Sequence, residues 1–186
     1  MPTTKTLMTA DELLQMPKDG FRYELIEGEL KQMSPGGYKH GVTIARFTGR
    51  LQVHVEDNNL GEVCGAETGF LKSKNPDTII APDVAFISNQ RASQITNLDT
   101  YSPVAPDLAV EVLSPSDSPK KVQKKVDDWF VFGVIVLILI DPRKRFVRVH
   151  RSSTDFFTLY ENDILVLDDI LPGFSYPISR LFLHEI

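Results

Sequence analysis

The stretch Val134–Ile140, VIVLILI, constrains the fold more than any other part of the sequence. It is apolar throughout and mostly β-branched, and it follows directly on Gly133. β-Branched side chains suit a pleated strand, and a strand without polar alternation needs cover on both faces. Even extended back to Phe130, the run falls well short of the roughly 20 residues that a membrane-spanning helix needs. The expected fold is therefore α/β, of mixed α+β character: a central mixed β-sheet flanked by helices.

The rest of the chain supplies those helices. Pro119–Phe132 reads as a helix with Ser118 as N-cap, proline at the first position and Gly133 closing it. His40–Glu56 reads as a second, ending at Asn58-Asn59-Leu60-Gly61. A short N-terminal helix has Thr9 as N-cap and Glu12 at the capping-box position. Phe21–Met33 reads as two short strands turning at Gly28. Further strands are expected at Glu62–Lys72, Ile79–Ile87 and Leu108–Leu113, and Arg145–Arg151 with Phe156–Tyr160 is expected to form a hairpin. With 186 residues and no repeat or linker, the chain is expected to be one domain, residues 1–186, able to bury a core without staples.

Composition removes several classes of function. A single cysteine, Cys64, excludes a disulfide framework and a thiolate zinc site, and reads as a small buried hydrophobe. The N-terminal MPTTKTLMTADELLQ has no apolar signal core, so a cytoplasmic protein without membrane partners is expected. A net charge of −5 argues against indiscriminate coating of nucleic acid but allows a local basic groove. No phosphate-binding glycine loop is present, and His40, His54, His150 and His184 lack zinc-helix spacing. Ser114 and Ser116 have no local histidine to form a triad. Arg143-Lys144-Arg145, Arg148 and Arg151 are the densest basic stretch, either a solvated hairpin or a set of phosphate contacts.

Three residues carry chemistry. Asp83 in IIAPDVAFI and Glu111 in LAVEVL interrupt apolar strands, where an ionised carboxylate is costly unless it is paired or binds a metal. On adjacent strands both would reach one hard cation, and Mg²⁺ favours such oxygen ligands. The alternative is that each acid pairs with a basic residue. The third residue comes from the helix. At about 100° per residue from Val122, Trp129 falls at about −20°, Phe132 at about −80° and Lys125 at about −60°, inside the apolar arc. Lys120 and Lys124 fall on the opposite face. Lys125 thus points towards the core, where it either meets an anion or covers apolar surface with its stem.

The segments YELIEG (Tyr23–Gly28), AETGF (Ala66–Phe70), APDVAF (Ala81–Phe86), PDLAVEVLSPS (Pro106–Ser116), KVDDW (Lys125–Trp129), DP (Asp141–Pro142) and LPGF (Leu171–Phe174) occur in this order. Together they resemble the putative restriction endonuclease family abundant in cyanobacteria, a branch of the PD-(D/E)XK nuclease superfamily. The resemblance implies a restriction-endonuclease-like fold and a metal-dependent nuclease that hydrolyses phosphodiester bonds in nucleic acid, with DNA expected. It implies catalytic Asp83, Glu111 and Lys125, with Asp83 and Glu111 holding Mg²⁺ or Mn²⁺. Leu113 stands where the superfamily pattern has its lysine, which implies that the lysine has moved to Lys125. Glu24, Glu27, Glu67 and His40 are candidates for a further site residue. By analogy with restriction-type enzymes, a homodimer is expected. The rival expectation is a non-catalytic module that keeps the fold and binds nucleic acid or protein.

Overall fold

A computed structural model of the chain describes residues 7–17 and 19–183; His184 lies outside them. Its centre is a six-stranded sheet of β3 (Gly61–Cys64), β6 (Val84–Ser88), β7 (Leu108–Val112), β8 (Val136–Asp141), β9 (Phe146–His150) and β10 (Phe156–Tyr160), in the order β10-β9-β8-β7-β6-β3. Only β7 and β8 run parallel, Glu111 facing Leu139; the other pairs are antiparallel. A parallel pair needs a crossover, and α4 (Pro119–Phe132) provides it. Ser118 caps α4, and Gly133 ends it at φ 108°.

Helices cover the sheet on both faces, as the apolar β8 requires. On one face α2 (Tyr38–Asp57) packs Phe47, Leu51 and Val55 against Phe86, Val110, Ile138 and Val149, with Phe174 and Phe182 from the C-terminal segment. On the other, Val126 and Trp129 of α4 pack against Ala85, Ala109, Leu137 and Leu139. A second sheet, order β2-β1-β5-β4, joins β1 (Arg22–Ile26), β2 (Glu29–Met33), β4 (Phe70–Ser73) and β5 (Thr78–Ile80). The helix α1 (Ala10–Leu14), with its Thr9–Glu12 capping box, packs Leu13 near Leu25 and Ile79 there. The short α3 (Asn89–Ala92), the pair β11 (Ile164–Val166) and β12 (Ser175–Pro177), and a 3₁₀ turn at Ile178–Arg180 complete the chain.

Two expected strands divide. Ile79–Ile87 is β5 and β6, which belong to different sheets, because Pro82 has no amide to continue a ladder. Glu62–Lys72 is β3 and β4, separated by a turn in which Glu67 takes φ 79°. The helix expected from His40 begins at Tyr38, so His40 lies in its first turn. Cys64 is half-buried rather than buried, and burial still pushes its thiol pKa up. Among the described residues no helix is long and apolar enough to cross a membrane.

Candidate active site at the end of the central strands

Alternation along β7 sends Val110 and Val112 to the α2 side and Ala109 and Glu111 to the α4 side. Glu111 is only 4% exposed, yet both its oxygens are bonded. Oε2 accepts from Lys125 Nζ at 2.6 Å and Oε1 from Trp129 Nε1 at 2.9 Å. Lys125 and Trp129 are four residues apart, so one face of α4 delivers both donors to the same carboxylate. The Lys125 side chain remains 40% exposed: it bridges the buried acid and the surface.

Asp83 sits between Pro82 and β6. Its amide donates to the Val110 carbonyl at 3.0 Å, and its Oδ2 accepts from the Val112 amide at 2.7 Å. With Val84 paired to Val110, Asp83 therefore lies alongside Glu111. His40 Nε2 approaches Asp83 Oδ2 at 3.4 Å from the first turn of α2. Glu24 enters from β1, close enough for the charges of Lys125 and Glu111 to act on it.

The charges are mutually dependent. Burial raises the Glu111 pKa, and Asp83 adds to the rise; Lys125 and Trp129 oppose it. Glu24 is likewise raised by burial, with Lys125 opposing. Burial works against the Lys125 ammonium, but Glu111, Glu24 and Asp83 together outweigh it and hold the pKa above the ordinary lysine range. The hydrogen bond to Asp83 raises His40 against the effect of its own burial. The result is a cluster of acids around one firmly protonated lysine.

The structure thus brings Asp83, Glu111 and Lys125 together with Glu24 and His40. The charge of Glu27 acts on Lys124 rather than on Lys125. Glu27 sits in the β1–β2 turn at φ 52°, and Glu67 is 66% exposed and pairs with Arg22 at 3.2 Å. Lys124 pairs with Asp128 at 2.8 Å, and Lys72 reaches the same acid at 2.5 Å. Two contributions were missed from sequence: the Trp129 hydrogen bond and the tie from β4 to α4 through Lys72. The first left a signal, since a buried indole N–H needs an acceptor and Trp129 falls one turn from Lys125. The second left none, since it joins remote segments.

The residues present fit a divalent ion in donor type. Asp83 and Glu111 offer hard carboxylate oxygens side by side, with buried charge that a cation would relieve. No group of three or more His, Cys, Asp or Glu side chains is arranged as a ready cation site among the described residues. Mg²⁺ commonly takes only one or two carboxylates and completes its shell with water and substrate phosphate.

A mixed sheet with paired acids at the strand ends, and helices on both faces, defines a restriction-endonuclease-like class of protein. The sequence matches the Uma2 family, described as "Putative restriction endonuclease", over residues 10–179, and the chain belongs to that family. The crystal structure of a putative nuclease from Anabaena variabilis is similar in fold: TM-score 0.75 at 22% identity, covering 94% of this chain and 97% of that one. No curated protein matches the sequence.

Proposed function

We propose that the protein is a divalent-metal-dependent nuclease that cleaves DNA, with Asp83 and Glu111 as metal-holding acids and Lys125 as the positioned cation. The observation that carries this reading is the 2.6 Å contact between Lys125 and Glu111, next to Asp83. Bound Mg²⁺ or Mn²⁺ would polarise the scissile phosphate and activate water. Lys125 holds its proton firmly and spends one of three donors on Glu111, so the others are available to phosphate oxygens as charge develops there. Trp129 fixes the Glu111 carboxylate in place. His40 keeps Asp83 oriented, and that contact favours the protonated imidazole. Glu24, near enough for the charges of Lys125 and Glu111 to act on it, adds a further carboxylate to the site.

One observation favours the rival, non-catalytic reading: Lys125 and Trp129 already satisfy both oxygens of Glu111 without any cation. Calorimetric titration with Mn²⁺ separates the two. The nuclease reading expects binding to wild type, loss in Asp83→Ala, and plasmid nicking that EDTA stops. Absent Mn²⁺ binding, or nicking that persists in Asp83→Ala, refutes it.

A further inference from the structure

The α4 face of the sheet continues past α4 onto β9 and β10, and the residues there have an unusual combination of properties. Register places Glu111, Leu139, Arg148 and Thr158 in one cross-strand row. Ala109, Leu137, His150 and Phe156 form the next. Arg148 therefore lies two strands from Glu111, about 10 Å along the row at the usual strand spacing. Its guanidinium carbon sits 4.5 Å from the Phe156 ring centroid and 5.5 Å from that of Phe146. Its Nε is buried without a hydrogen-bond partner, and no carboxylate pairs with Arg148 among the described residues. The neighbouring arginines differ: Arg145 binds Glu161 and Arg151 binds Asp169.

The aromatic side is open to solvent. Phe156 is 45% exposed and Tyr160 59%, both on β10, the edge strand of the six-stranded sheet. His150 is 2% exposed and its ring centroid lies 4.9 Å from that of Phe156, the planes tilted by 35°. Neither of its ring nitrogens completes a hydrogen bond, though the Ser152 backbone acts on it. Burial and the Arg148 charge lower the His150 pKa and so disfavour a second cation there. The acids on this flank are Asp127, which accepts from Gln123, Asp141, which accepts from the Arg143 and Lys144 amides, Asp163, which accepts from the Tyr160 amide, and Asp155 at the β9–β10 turn. None of them forms an ion pair with Arg148.

A cation held between the Phe146 ring and the half-exposed Phe156 ring, with the exposed Tyr160 on the same strand as Phe156, suits a ligand with both negative charge and flat apolar faces. We propose that this β9–β10 strip binds single-stranded nucleic acid, Arg148 taking a backbone phosphate while Phe156 and Tyr160 stack unpaired bases. The proposal deepens the nuclease reading and rests on it for its direction: the strip shares a face with Glu111, so a strand held there leads towards the acids. It also names the substrate class, because a duplex hides the base faces that the rings would contact. The exposed Lys120 and Lys121 lie in the first turn of α4, which follows β7 beyond Glu111. A second copy of the chain is a poorer occupant. Antiparallel pairing of two β10 edges about Thr158 sets Asp155 opposite the partner's Glu161, and like charges directly opposed are unfavourable.

The test is fluorescence anisotropy of a labelled 20-nucleotide oligothymidine in EDTA, where no cleavage intervenes. Wild type is expected to bind it more tightly than a 20-base-pair duplex. Phe156→Ala weakens binding roughly 5- to 150-fold, the range for one stacked base. Arg148→Gln weakens it about tenfold or more and flattens the salt dependence by about 0.7 in log K per log [salt], one phosphate's share. Phe156→Leu keeps the apolar bulk and the fold, and it too must weaken binding. Unchanged affinity in Arg148→Gln and Phe156→Leu, or equal affinity for duplex, overturns the proposal. So does a concentration-dependent dimer that Phe156→Leu dissolves while oligonucleotide affinity stays unchanged. Binding through Arg148 and Phe156 without Mn²⁺-dependent cleavage leaves the strip standing and removes the nuclease reading. Cleavage with no dependence on Arg148 or Phe156 does the reverse.

Discussion

Lys125→Met isolates the electrostatic link on which the site depends. Methionine keeps most of the apolar stem and removes the ammonium, leaving Glu111 buried with Trp129 as its one remaining donor. Breaking a buried ion pair from one side costs about 3–5 kcal/mol. The Lys125 side chain is 40% exposed, so water screens part of that interaction, and we expect about 1–3 kcal/mol near pH 8. The pH dependence gives the sharper result. Burial already raises the Glu111 pKa above its ordinary 4.5, and Lys125 is the strongest opposing influence. Without Lys125 the folded-state value rises further. An acid whose folded pKa lies above its unfolded one stabilises the fold while protonated, and that contribution is lost as pH rises from 4.5 through the folded value. The variant should therefore approach wild type as pH falls towards 4.5 and diverge from it as pH rises. Urea unfolding at about pH 5 and about pH 8 reads this directly, with a midpoint shift on the order of 1 M at the higher pH. Adding Glu111→Gln to Lys125→Met should recover much of the loss. Equal midpoints near pH 8, or a gap that widens on acidification, refute the account. Cleavage by Lys125→Met should fall at least about 100-fold, in line with the loss of one preorganised donor.

Three other outcomes are open to measurement. Trp129→Phe preserves ring packing but leaves Glu111 Oε1 without its donor; chemical denaturation should show a loss of about 1–3 kcal/mol. His40 has a folded pKa raised above 6.5 by Asp83, so its contribution is present below 6.5 and is lost as pH rises through the folded value. His40→Gln should thus be less stable than wild type at about pH 5.5 and converge on it at about pH 9, as followed by thermal melts. Gly133→Ala places a Cβ no nearer than 3.8 Å from Ala105, so it should cost only the backbone strain at φ 108°, about 1–3 kcal/mol in a urea titration.

The legible parts of the fold were those governed by local periodicity. The limits of α4 follow from Ser118, Pro119 and Gly133, each of which acts within one turn. The buried character of β8 follows from its unbroken apolar run. The Lys125 angle within the apolar arc of α4 predicts the side on which Glu111 lies, because a helix of that length leaves little rotational freedom once Trp129 is buried. What periodicity could not resolve was assignment to sheets. Thr78–Ile80 and Val84–Ser88 are both buried and apolar, and only long-range pairing decides that the first joins β1 and the second joins β7. The same limit applied to the auxiliary acids. Glu24, Glu27 and Glu67 look alike in sequence, and the difference between them arises from a turn at Glu27 and an ion pair at Glu67.

That division between sheets also accounts for the site itself. Because the chain leaves one sheet at Ile80 and enters another at Val84, Asp83 occupies a junction where its carboxylate can bond the Val112 amide rather than a regular ladder partner. This draws Asp83 beside Glu111 at the end of β7. The departure at Leu113 has a geometric counterpart. Leu113 is two residues beyond Glu111, on the same face, and packs into the core beneath α4. A lysine there would exchange that packing for a charge. Lys125 arrives at Glu111 from the overlying helix instead, and β7 keeps its apolar face intact. The arrangement couples the ammonium to the seating of α4, through Trp129 in the core and through Asp128, which Lys72 ties to β4. A lysine carried on β7 would depend on its own strand alone. Here, loosening α4 anywhere along that face should displace Lys125 from Glu111. The integrity of the helix packing and the electrostatics of the acid cluster are therefore one property rather than two.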